Sequence, residues 1–209
     1  MSETASAQRQ GWAIWVVGLP GSGKTNLARG LAAKLSIQGD CVVWLQMDAR
    51  RKAYFPEPTY SDEEREEAYR LFADEAAALT REGKNVVMDG SAFRADMRDY
   101  ARSMIPDFAE VHVQCSLEEA MKREHRREKG LVMADLYRKA LERKETGKEF
   151  PGLGKVIGVD VVFEESPQAE YTINNEFISK DETLRRTLRF VREWLQGVEA
   201  HHFCDEDES

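Results

Sequence analysis

Along most of the chain, short apolar runs alternate with stretches of helical periodicity. Trp12–Val17, Cys41–Gln46, Asn85–Met88, Glu110–Cys115 and Tyr171–Ile173 are apolar runs bounded by polar residues, which predicts strands. The intervening segments carry apolar stripes spaced three and four apart. Leu27, Leu31 and Leu35, with Ala28 and Ala32, give the first helix its core-facing side. A second helix starts at Ser61, has Glu63 and Glu64 in its first turn, runs through Tyr69, Leu71, Phe72 and Ala76, and stops at Gly83. The last, Asp181 to Gln196, places Leu184, Leu188, Val191 and Leu195 on one face. Five short strands divided by helices predict an α/β protein with a five-stranded parallel sheet wrapped by helices on both faces. Ligands of such sheets bind at the carboxyl ends of the strands.

The two ends lack this pattern. Residues 1–10 are small and polar, and residues 201–209 include Asp205-Glu206-Asp207-Glu208, so both are expected to be unstructured, leaving one domain over 11–200. His201 and His202 beside Cys204 read as part of a frayed terminus rather than as metal ligands. The 209 residues suffice to bury a core without disulfides. Cys41, Cys115 and Cys204 are odd in number and widely spaced, as in a reducing cytoplasm, and Cys115 at the end of an apolar run reads as a core thiol. A formal charge of −8 leaves no broad basic face for coating nucleic acid. No stretch has the ~18 apolar positions of a membrane span, and no signal core follows the N-terminus.

Candidate chemistry begins where the first strand ends. Gly18-Leu19-Pro20-Gly21-Ser22-Gly23-Lys24-Thr25 fits the pattern of Gly, four residues, then Gly-Lys-Thr, between an apolar run and an amphipathic helix. The glycines let successive N–H groups curl into one concavity, and the helix adds the positive end of its dipole. This makes the three-layer sheet a P-loop fold. Gly18, Pro20, Gly21, Ser22, Gly23, Lys24, Thr25 and Asn26 are candidate contacts for ATP, with Lys24 reaching the terminal phosphates and the Thr25 hydroxyl binding Mg²⁺.

The second strand delivers Asp48 to the same sheet edge, followed by Arg50 and Arg51. The acid can hold Mg²⁺ or orient an attacking hydroxyl, and the arginines can grip an anionic acceptor. The third strand ends in Asp89-Gly90-Ser91, where Asp89 reads either as an acid near the metal and acceptor hydroxyl or as a turn residue. The charge-rich stretch Lys122 to Glu149, within a candidate lid of about 122–155, reads mostly as a solvated helical face. A few of its cations, Arg123 among them, suit a lid over phosphates.

These residues resemble the adenylylsulfate kinase family, whose members transfer the γ-phosphate of ATP to the 3′-hydroxyl of adenosine 5′-phosphosulfate. The resemblance covers residues 12 to about 178. Asp48 matches the second Asp of the family's Asp-Gly-Asp-Asn-x-x-Arg, and Arg51 is the nearest basic counterpart of its Arg. Tyr60-Ser61-Asp62-Glu63-Glu64-Arg65-Glu66-Glu67-Ala68 follows its Phe-Ser-x-x-Asp-Arg-x-x-Asn, with Ala68 replacing the final Asn. Phe150-Pro151-Gly152 resembles its Phe-Thr-Gly. Gly158-Val159-Asp160, with Glu164 and Pro167, resembles its Gly-Ile-Asp and Tyr-Glu-x-Pro. The likeness implies that Tyr60 and Phe150 stack on the acceptor base while Arg51, Arg65 and Ser91 bind the acceptor. It further implies that Asp48 serves the metal and the hydroxyl; Asp89 stands outside the family's pattern and resembles the strand-end acid that other small-molecule P-loop kinases use near Mg²⁺ or the acceptor hydroxyl. Resembling enzymes are usually dimers, so a homodimer is carried as an expectation.

The resulting expectation is a cytoplasmic, Mg·ATP-dependent kinase for a small anionic nucleotide. Two other readings stay open: a P-loop kinase for a different hydroxylated metabolite, and a nucleotide-binding regulatory protein without transfer activity.

Overall fold

In the computed structural model, residues 10–37, 39, 41–126 and 133–206 are described. The expected disorder of residues 1–9 and 207–209 lies outside them, as does part of the candidate lid, 127–132. Ala13–Val17 (β1) stands at the centre of a five-stranded sheet, between Asn85–Asp89 (β3) and Phe108–Gln114 (β4). Val42–Gln46 (β2) and Tyr171–Asn174 (β5) form its edges, giving the order β2-β3-β1-β4-β5. All four pairings are parallel, as the alternation of strands and helices predicts.

The continuous apolar runs have a simple cause, because a central parallel strand is covered on both faces. All five residues of β1 are buried. Ala13, Trp15 and Val17 meet Asp62–Arg81 (α3) and Ala95–Met104 (α4), where the Trp15 ring centroid lies 5.7 Å from that of Phe72. Ile14 and Val16 meet the opposite layer, Lys24–Ile37 (α1) and Lys180–Glu206 (α7), through Leu27, Leu31, Leu188 and Val191. Helix α7 continues ten residues past Gln196 into the segment expected to be unstructured. Ser61 caps α3 as its sequence suggests, its hydroxyl accepting from the Glu64 N–H at 3.2 Å.

Two features depart from the simple pattern. Met47–Tyr54 (α2) is a short helix rather than a loop, and it starts directly from β2. On the α3/α4 face of β4, Glu110 is wholly buried and pairs with the equally buried Arg98 at 3.1 Å. Arg98 also donates to the carbonyls of Ala92, Arg94 and Glu164, which ties the 158–170 segment to the loop after β3. The buried Arg98 charge is tolerated there because it is paired with Glu110 and its Nη groups donate to carbonyls.

The candidate lid region contains Leu117–His125 (α5) and Leu136–Thr146 (α6). Ala120, Tyr137, Ala140, Leu153 and Val156 form a third, smaller core beside the phosphate loop. Among the described residues, no helix is long and apolar enough to cross a membrane.

Candidate active site

The sheet register assembles the site. Asp89 at the end of β3 lies beside Val16 of β1 and Gln46 of β2, so the loop after β1 and the start of α2 open next to it. The loop itself takes the predicted strand-loop-helix form. Gly18 and Gly21 have φ of +143° and +84°, and a Cβ on Gly21 would stand 2.2 Å from the Ala120 carbonyl oxygen. Glycine is required there by both conformation and space.

Neighbouring elements brace the loop backbone. The Pro20 carbonyl accepts from the Tyr137 hydroxyl at 2.7 Å, and the Ser22 carbonyl accepts from Asn175 Nδ2 at 2.8 Å and Arg123 Nη1 at 3.3 Å. Lys24 Nζ lies 3.5 Å from the Leu19 carbonyl oxygen, and the Thr25 hydroxyl donates to Asp89 Oδ1 at 3.2 Å. Among the described residues no three His, Cys, Asp or Glu side chains converge on a metal position. The Thr25 and Asp89 oxygens, with Asp48 in the same cleft, nevertheless suit a hard cation such as Mg²⁺, which takes few protein ligands and completes its shell with phosphate and water oxygens.

A cleft of about 380 Å³ opens from this point. Pro20, Lys24, Asp48, Arg51, Tyr60, Arg65, Asp89 and Ser91 all line it, so eight candidates from four separate stretches of sequence meet in one place. Arg51 is 5% exposed and pairs with Glu64 at 3.3 Å rather than with Asp48. Arg65 is 8% exposed; its Nη2 donates to the Lys155 carbonyl at 2.7 Å, whereas its Nη1 is buried with no hydrogen-bond partner among the described residues. Burial pushes the Arg65 guanidinium below its usual pKa, as expected for a cation held away from water. A buried, partly unsatisfied guanidinium facing a cleft is suited to an anion. Burial likewise raises the Tyr60 phenol.

Three candidates stand elsewhere. Arg123 lies behind the loop, where its guanidinium reaches Glu119, Asn175 and the Ser22 carbonyl. Phe150 packs on the small α5/α6 core with the Lys148 ammonium 4.9 Å from its ring centroid, outside the cleft lining. Asn26 is exposed on α1 and bonds Arg29 at 3.4 Å.

Other residues serve the site without having been named as candidates. Lys52, Glu124 and Lys155 line the cleft, while Tyr137 and Asn175 brace the loop. Glu64 organises the Arg51 side. Its sequence signal is a Ser-x-x-Glu capping box, Ser61 to Glu64, whose acid reaches back past the cap. Lys155 makes an exposed ion pair with Asp62.

Comparison with known proteins agrees with this arrangement. The adenylylsulphate kinase family model matches residues 10–174. A probable adenylyl-sulfate kinase of Pyrococcus abyssi is 33% identical over 184 residues, covering 88% of this chain and 97% of that protein. A cytidine diphosphoramidate kinase of Campylobacter jejuni is 28% identical over 162 residues, covering 78% of this chain and 85% of that protein. The structure of the Mycobacterium tuberculosis APS kinase in complex with AMPPNP and APS superposes with a TM-score of 0.72 at 23% identity, over 88% of this chain and 98% of that one, a likeness of fold. The match of family model, relatives and P-loop geometry places this chain in the adenylylsulphate kinase family of ATP-dependent phosphotransferases.

Proposed function

We propose that the protein transfers the γ-phosphate of ATP to a hydroxyl of adenosine 5′-phosphosulfate or a closely related anionic nucleotide. The observation that carries this reading is the single cleft in which Lys24 of the phosphate loop meets Asp48, Arg51, Tyr60 and Arg65. A protein that only binds a donor nucleotide has no use for two buried arginines and an aromatic ring beside it.

Each residue has a role that follows from its chemistry. Backbone N–H groups of the loop hold the donor phosphates, and Lys24 neutralises charge on the group in flight. Asp48, half-buried at the second position of α2, accepts the proton of the acceptor hydroxyl and orients its oxygen. Arg51 and Arg65 fix the acceptor's anionic groups, and the Tyr60 ring offers a face to its base. Thr25 with Asp89, or Asp48, would hold Mg²⁺, which when bound supplies charge neutralisation at the phosphates. Phosphoryl transfer passes through a loose transition state, so catalysis here is mainly positioning and electrostatics.

A second acceptor class is supported by the likeness to the Campylobacter kinase, whose name specifies a cytidine diphosphate derivative. Stacking on one aromatic face tolerates different bases. A screen of adenosine 5′-phosphosulfate, cytidine diphosphate derivatives and base-free hydroxylated metabolites, with product detected by mass, tests the reading. Turnover of a base-free acceptor alone would reject it.

A further inference from the structure

Glu64 does not line the cleft, yet it touches the residues that grip the acceptor there. Its side chain is 8% exposed and pairs with Arg51 at 3.3 Å. The same carboxylate accepts from the Thr59 N–H, from the Thr59 hydroxyl at 2.7 Å, and from the Tyr60 N–H at 3.2 Å. Burial would raise its pKa, but these bonds, with the Arg51 contribution, hold the group below the usual carboxylate range, so it is ionised at neutral pH.

Tyr60 needs such support. Its φ of +58° lies in the left-handed region, which residues with bulky side chains seldom adopt. From the other side the backbone of Gly154 closes on it, where a Cβ would come within 2.9 Å of the Tyr60 carbonyl oxygen. The Arg51 guanidinium carbon stands 5.4 Å from the Tyr60 ring centroid. Carboxylate, guanidinium and ring therefore form one assembly.

Building on the proposed function, we infer that Glu64 is a positioning residue for the acceptor, fixing the direction of Arg51 and the strained backbone of Tyr60. An arginine without this partner would be free to swing toward Asp48. A Tyr60 without the bond to its N–H would be free to leave the left-handed region. Either movement alters how the acceptor sits while leaving the donor loop untouched.

The test is steady-state kinetics of Glu64→Gln with adenosine 5′-phosphosulfate as acceptor, alone and in an Arg51→Met background. Glu64→Gln is expected to raise the acceptor KM roughly tenfold, with kcat and the KM for ATP within about twofold of wild type. Because Glu64 acts partly through Arg51, its effect in the Arg51→Met background should shrink to about threefold or less. An acceptor KM within twofold of wild type, or effects of the two substitutions that simply multiply, would overturn the inference. Glu64→Asp keeps the helix-capping charge but is shorter by one methylene, so a full effect in this variant locates the cause in reach rather than in helix stability; wild-type kinetics in it would overturn the inference. If the wild-type enzyme turns over no nucleotide acceptor, the functional reading fails by itself. Glu64 is then judged from a crystal structure of Glu64→Gln: displaced Arg51 and Tyr60 support the positioning role, and unmoved side chains overturn it.

Discussion

The Thr25 hydroxyl donates to Asp89 Oδ1 across 3.2 Å, joining the first turn of α1 to the end of β3. The two residues are 64 positions apart, yet adjacent parallel strands bring them together at the carboxyl edge of the sheet. Asp89 is 3% exposed, so its charge sits in a poorly solvated place where it bears strongly on a cation or a transferred phosphoryl group. Asp89→Asn keeps the shape and an acceptor for Thr25 but removes that charge. The expected result is a fall in kcat of about 100-fold or more, with a stability change of about 1 kcal/mol, read from turnover and thermal melting of the same preparation. Near-normal turnover would leave Asp48 as the sole important acid.

Tyr60 presents the only aromatic ring among the acceptor-side residues that the sequence singled out and the cleft contains. Base stacking contributes about 1–3 kcal/mol per base. Tyr60→Ala should therefore raise the KM of a base-containing acceptor roughly tenfold or more and leave the KM for ATP unchanged. A matching rise for both substrates would point to collapse of the cleft instead.

Tyr137 connects α6 to the phosphate loop through the Pro20 carbonyl. Tyr137→Phe deletes only the donor and removes the partner of a half-buried carbonyl, at a cost of about 1 kcal/mol. Folding stability should fall by that amount in chemical denaturation, and the KM for ATP should rise severalfold with the acceptor KM unchanged. An unaltered KM for ATP would show that the loop holds its shape without α6.

His112 gives the protein a pH-dependent stability. It is buried, stacks on Phe163 at 4.8 Å between centroids, and is pushed below the usual imidazole pKa mainly by burial. A histidine with a depressed folded pKa is neutral when folded, while the unfolded chain takes up a proton as pH falls below about 6.5. Its contribution to stability is thus fully present above that pH and is lost progressively below it. Melting temperatures measured from pH 7.5 to 5 should decline, and His112→Gln should flatten the part of the decline just below 6.5. Parallel curves for the two proteins would remove His112 as the cause.

Much of this architecture can be read from local pattern. The five strands are visible because central parallel strands are covered on both faces and leave unbroken apolar runs such as Ala13–Val17. The phosphate loop is visible because its glycines, lysine and threonine act within one short segment. Helix α2 is hard to see, since its eight residues include three of Arg or Lys and carry little apolar stripe. Glu64 stands on the motif's Asp position and in a capping box, but its bonds to Thr59 and Tyr60 show only once the chain folds back. Spacing also leaves side-chain direction open. Arg123 and Phe150 share the lid region with cleft-lining Glu124 and Leu153, yet one braces the loop from behind and the other packs against α5 and α6. Those directions follow from tertiary packing around Ala120 and Tyr137, which motif spacing does not encode.

The most direct measurement is ATP consumption by the wild-type protein and Lys24→Ala, with Mg²⁺ present, before and after adding adenosine 5′-phosphosulfate or a related nucleotide. Lys24 is half-buried at the start of α1, a position where Ala continues the helix well, so Lys24→Ala should keep the fold and cost about 1000-fold or more in turnover. The account predicts acceptor-dependent ADP formation by wild type, an acceptor bearing one additional phosphate, and neither in Lys24→Ala at unchanged melting temperature. ATP consumption indifferent to every nucleotide acceptor, or undiminished turnover in Lys24→Ala, would contradict it.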